Sequence, residues 1–132
     1  MEEKKNESTP LRPEGEIFLN ASLVEMDIEK YIDQLKEEVT WKASGSNSIT
    51  LFKSDALRIV LIGLHKDAEL KTHTAPGYIS VQVMEGKIEF IAEQNKVILN
   101  KGQMIALQPR IPHSVHAQEM SFFLLTLALK QK

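Results

Sequence analysis

The side chains with the widest chemical range in this 132-residue chain are its four histidines, His65, His73, His113 and His116. An uncharged imidazole ligates first-row metals, and it is the side chain that ordinarily exchanges a proton near neutral pH. Cysteine is absent, which excludes a disulfide scaffold, a thiolate nucleophile, a cysteine-bearing zinc site and an iron–sulfur cluster. Neither G-x-G-x-x-G nor G-x-x-x-x-G-K-S/T occurs, so the glycine-rich routes to nucleotide phosphates have no support. Chemistry here rests on imidazoles and on whatever brings them together.

The elements that must position them read mostly as strands. Ile49 to Phe52 and the apolar run Leu57 to Leu64 come first. Tyr78 to Val83 alternates with period two, and Lys87–Ile91, Val97–Leu99, Met104–Leu107, His113–Ala117 and Phe122–Leu129 follow. Turn residues separate them, notably Glu85-Gly86, Gln94-Asn95 and Asn100-Lys101-Gly102. Eight or nine short strands at this spacing predict an all-β antiparallel sandwich or barrel, with no βαβ alternation. Ahead of them, Ser22 and Glu25 form an S-x-x-E capping box. Val24, Ile28, Tyr31, Ile32, Leu35 and Val39 then recur at helical spacing, predicting one helix over about 23–38. Residues 1–16 contain eight charged residues and two prolines, so a disordered tail is expected there. A helical segment over 17–40 and a β domain over 41–132 complete the expected organisation.

Composition narrows the function classes. Sixteen Lys+Arg against eighteen Asp+Glu leave a net charge of −2, which gives no global attraction to nucleic acid or an anionic membrane. The 42% hydrophobic and 26% charged content is that of a soluble globular domain. No apolar run approaches the roughly 20 residues of a membrane span. The N-terminus lacks the apolar core of a signal peptide. A cytoplasmic location is expected.

With its histidines and glycines set against the strands, the chain resembles the cupin superfamily. Cupins carry a first motif G-x5-H-x-H-x3,4-E-x6-G and a second motif G-x5-P-x-G-x2-H-x3-N. His73 matches the first histidine and Gly86 the closing glycine of the first motif. Gly102 and His113 match the first glycine and the histidine of the second. The match covers about residues 48–129. Other positions depart: Asp67 and Arg110 stand where glycines belong, Ala75 at the second histidine, Ile79 or Ser80 at the glutamate, Gln108 at the proline and Ala117 at the asparagine. The resemblance implies an antiparallel double-stranded β-helix, a jelly-roll barrel with one N-terminal α-helix, that binds a small molecule inside. It also implies a homodimer.

His73 and His113 are the expected floor of the site, with Ile79, Val81 and Met104 as candidate ligand-lining residues and Arg110 as a candidate anion holder at its mouth. Three functions stay open. One is a binding module. Another is a metal-dependent oxygenase or isomerase in which His73 and His113 hold a divalent Zn, Fe, Mn or Ni, with His65, His116, Glu69 or Gln82 as a third ligand. The third is a metal-free, epimerase-like enzyme using His73 and His113 as acid and base. Because His116 is three residues from His113, a regular strand points it to the opposite face. Trp41 is expected to anchor the helix to the barrel.

Overall fold

Strands buried on one face alternate apolar and polar residues; strands buried on both do not. Leu57–Leu64 and Ser121–Ala128 are apolar at nearly every position, so something must cover both of their faces. The structure, a computed structural model, describes residues 21–129 and supplies both covers. The expected tail over 1–16 lies outside the described residues.

Nine strands follow two short helices: α1 (Ile28–Glu37), α2 (Val39–Ser44), β1 (Ser46–Lys53), β2 (Leu57–Leu64), β3 (Glu69–His73), β4 (Tyr78–Glu85), β5 (Lys87–Ala92), β6 (Asn95–Asn100), β7 (Met104–Leu107), β8 (His113–Ala117) and β9 (Ser121–Ala128). They form a five-stranded sheet in the order β1-β2-β9-β4-β7 and a four-stranded sheet in the order β3-β8-β5-β6. All strand pairings are antiparallel. Between the sheets lies the main core, with Ile62, Val81, Phe123 and Leu125 from one side and Ile88, Phe90 and Val115 from the other. On the opposite face of the five-stranded sheet, Leu61 and Phe122 meet Ile32 and Leu35 of α1 and Trp41 of α2. Thus β2 and β9 give alternate residues to two cores. Each fully buried Leu or Phe there is worth about 2–3 kcal/mol. Gly63 permits the close approach on the helix side, because a Cβ there would stand 2.5 Å from the Phe122 ring and 3.0 Å from Trp41.

Two expectations need correction. The sheets form a jelly-roll sandwich, not a barrel closed by hydrogen bonds. Strand β3 has only five residues and its register slips between Leu70 and His73, so it pairs with β8 alone among the described residues. The helix also starts later than the capping box predicts. Asp27 is the N-cap, its side chain accepting from the Lys30 amide at 3.2 Å. Leu23 is 89% exposed, so the turn that Ser22 would cap has no apolar surface to cover. The helix then breaks at Glu38, which is extended, and a second helix runs from Val39 to Ser44 before Gly45 ends it in the left-handed region. Glu38 is buried at the break. Its carboxylate accepts from Asn47 Nδ2 at 2.9 Å, and the same amide donates to the Leu35 carbonyl at 3.1 Å. That pair ties both helices to β1. No helix among the described residues is long and apolar enough to cross a membrane.

Asp67 and Arg110, the two residues that replace motif glycines, both have positive φ, 71° and 65°. The bends that glycine would ease are therefore kept without glycine. Each is held by a backbone bond: Asp67 N donates to the Ala117 carbonyl at 2.8 Å and Arg110 N to the Ala75 carbonyl at 2.9 Å. A left-handed L-residue costs about 1–2 kcal/mol, partly offset by the entropy glycine would lose. Arg110→Gly is therefore expected to stabilise the protein by about 0.5–1 kcal/mol in urea denaturation; unchanged or lower stability would contradict this account.

Candidate functional site

The register of β3 on β8 sets His73 directly opposite His113. Their ring centroids are 4.4 Å apart at an interplanar angle of 61°. Each ring is pinned by its own chain. His73 Nδ1 lies 2.6 Å from the Lys71 carbonyl and His113 Nδ1 lies 2.8 Å from the Ile111 carbonyl. A carbonyl oxygen only accepts, so the proton of each neutral ring sits on Nδ1. Nε2 then carries the lone pair. Both Nε2 atoms are buried and have no hydrogen-bond partner. Phe90 stacks on the His113 ring at 5.6 Å, and His113 is 3% exposed. That burial pushes the His113 pKa below its ordinary 6.5; the Ile111 carbonyl works against the shift and His73 adds to it.

His73 opens onto a cavity of about 770 Å³, within the range of small-molecule pockets. Its wall on the five-stranded sheet is apolar at Val60, Ile62, Leu125 and Leu127 and polar at Ser48 and Thr50 of β1. Lys53 and Arg58, opposite each other across the β1–β2 hairpin, line it as well. From the other sheet come Glu69, Leu70, Lys71 and His73, with Thr74 just beyond β3. The ends of the cavity differ. Residues 74–77 lead from His73 to Tyr78, which stands beside Ala128, itself opposite Leu57. His73 therefore lies at the Lys53–Arg58 end. Glu69 is four residues away along β3, about 13 Å.

The structure brings His73 and His113 together. It does not gather the other candidates around them. Ile79 and Val81 lie in the main core, 3% and 1% exposed, and are not among the cavity-lining residues. Met104 is 54% exposed on the edge strand β7. Arg110 is exposed and does not line the cavity. His116 is on the outer face as its spacing predicts, 3.6 Å from the Asp67 carboxylate. His65 lies against Trp41, with ring centroids 4.0 Å apart. Gln82 donates to the Gly102 carbonyl at 3.3 Å. Trp41 also packs on Phe122 at 5.1 Å. Sequence reasoning missed Lys53, Arg58 and Lys71. Arg58 shares the strand phase of Val60 and Ile62, so the period-two pattern was the available signal for it, whereas the register slip of β3 between Leu70 and His73 removes that signal for Lys71.

The expected divalent metal does not fit these residues. Among the described residues no group of three or more His, Cys, Asp or Glu side chains could hold an ion. The positions of the absent motif ligands, Ala75 and Ile79, are filled by buried apolar packing. A first-row ion held by protein usually takes three or more protein ligands.

No family model matches the chain, and no curated protein matches it significantly. Solved structures do. A conserved protein of unknown function from Streptococcus pyogenes is 26% identical, with a TM-score of 0.64 over 72% of this chain and 87% of that one. An RmlC-like cupin from Shewanella frigidimarina superposes with a TM-score of 0.67 at 16% identity, over 87% of this chain and 97% of that one. The chain has the cupin fold. Salicylate 1,2-dioxygenase from Pseudoaminobacter salicylatoxidans gives a TM-score of 0.71 at 18% identity, over 84% of this chain but 37% of the dioxygenase. At these identities the likeness is one of fold; the imidazole pair of this chain has to be read from its own geometry.

Two predictions follow from that geometry. His113 has a lowered folded-state pKa, so the unfolded chain binds a proton first as pH falls. The stability contribution is present above the unfolded value of 6.5 and is lost as pH drops below it toward the folded pKa. The melting temperature is expected to fall over that window, and His113→Gln should flatten this part of the curve; a wild-type profile flat below 6.5 would contradict it. Untagged protein should also retain less than about 0.1 equivalent of metal by elemental analysis. A stoichiometric ion would show that the donor set is larger than described.

Proposed function

We propose that this cupin is a small-molecule binding module whose ligand sits in the cavity at His73 and presents a hydrogen-bond donor to the paired imidazoles. The observation that carries this reading is the His73 ring at the wall of a cavity of about 770 Å³. Its Nε2 is an unpaired acceptor closed to solvent, worth about 1–3 kcal/mol to a ligand hydroxyl or N–H that reaches it through a small shift of the ring. The Nδ1 contacts hold the ring in the accepting tautomer before any ligand arrives. The apolar stretch through Val60 and Leu125 gives the ligand body a dry surface. This is the arrangement of a small-molecule site: mostly apolar, with few and fixed polar groups.

Acid–base chemistry has one favourable feature. A neutral imidazole with a free Nε2 lone pair is a proton acceptor, and the lowered pKa of His113 keeps its ring neutral near pH 7. His73, which faces the cavity, is then the base, and the tautomer leaves neither neutral ring an Nε2 proton to give.

Phenol joins an apolar body to a single donor, so it probes this reading directly. Titrating it should shift the ¹⁵N resonance of His73 Nε2 and raise the melting temperature. His73→Phe should weaken phenol binding by about tenfold without lowering the melting temperature of the free protein. A His73→Phe variant that binds phenol as well as wild type would overturn the assignment.

A further inference from the structure

We propose that the cavity has a resident occupant from this chain: Ile17, Phe18 and Leu19 lie in the slot between β1 and β3, against the apolar wall of Val60, Leu125 and Leu127, and a ligand enters by displacing them. The proposal rests on the binding-module reading above and adds how access to that site is controlled. The topology supplies the slot. Strands β1 and β3 are the end strands of their sheets, and among the described residues β1 pairs with β2 alone and β3 with β8 alone. Residues of both strands line the cavity, so it lies between two sheet edges. An edge of this kind is a template for a further stretch of extended chain.

The lining says what kind of occupant fits. Ser48, Thr50, Lys53, Arg58 and Thr74 already have interaction partners. The wall behind them is apolar, at Val60, Ile62, Leu125 and Leu127. Residues 1–20 contain one run of large apolar side chains, Ile17-Phe18-Leu19, set between Glu16 and Asn20. The attachment of that run brings it to the slot. Met26 and Ile28 pack with Ile49 and Leu51 of β1 on the helical side, whereas Ser48 and Thr50 of the same strand line the cavity. One strand edge therefore separates the anchored end of the segment from the slot. Leu19 precedes Met26 by seven residues and Ile17 by nine, which is about 23–30 Å of extended chain. Rounding the edge of β1 takes about 10 Å, the spacing of packed layers, and the remainder runs along the slot.

The chain has no cysteine, so Glu16→Cys places a single nitroxide beside the apolar run. It should broaden the methyl resonances of Val60, Ile62, Leu125 and Leu127 and leave Met104, on the far edge strand β7, sharp. Ile17→Ser, Phe18→Ser and Leu19→Ser together, in the full chain, should abolish that broadening. They should also tighten phenol binding about tenfold, because a site closed about nine-tenths of the time loses that factor in apparent affinity. Sharp methyls at all four positions, or equal broadening at Met104, overturn the proposal. Broadening that persists with nitroxide and isotope on different copies assigns the slot to a second molecule and overturns it too. Unchanged phenol affinity in the serine variant overturns the control of the site. If phenol binds neither form, the binding-module reading fails, and the broadening alone decides the occupant.

Discussion

Strands β2 and β9 are apolar on both faces, and burying both faces at once is the constraint around which the molecule is organised. Leaving either face wet would expose several large side chains, each worth about 2–3 kcal/mol when covered. The helices therefore lie on one side and the four-stranded sheet on the other. Asn47 and the buried Glu38 fix the helical layer by satisfying polar groups where the helix breaks. The inner face of the same two strands becomes the apolar wall of the cavity where β3 is too short to close the sandwich. Core and site are thus two ends of one surface.

The imidazole pair is set by pairing register. His73 and His113 are forty positions apart in the chain, yet neighbours on adjacent strands. Each ring donates to a carbonyl two residues before it, which fixes the ring and its tautomer locally. Burial and the facing imidazole keep His113 neutral. Two lone pairs in one apolar neighbourhood then call for a donor. Buried Ala75 and Ile79 stand where side chains of the motifs would complete a metal centre.

Much of this was legible in the sequence, for physical reasons that also explain the rest. Period-two alternation and tight turns mark strands locally, so Tyr78–Val83 and the hairpin at Glu85-Gly86 were readable. The convergence of His73 and His113 followed from placing them on the two cupin motifs. The helix start was misread because Ser22 and Asp27 are both competent caps, and only packing chooses between them. Ile79 and Val81 have the right strand phase to line a pocket, but a strand's inward face does not reveal which rows are packed and which are open. Lys53 and Arg58 were overlooked because a charged residue near a hairpin looks like solvated surface until the opposite sheet is in place. Closure into a barrel was expected because short strands do not announce which of them lack a second neighbour.

Asp67 and Arg110 stand where the cupin motifs have glycine, and both have a left-handed backbone. Hydrogen bonds to Ala117 and Ala75 hold those bends from outside, so the main chain does not depend on the identity of the residue that turns it. Comparison by residue type is blind to this substitution, whereas superposition of backbones is indifferent to it. An architecture held in this way rests on main-chain hydrogen bonds that any residue type can make.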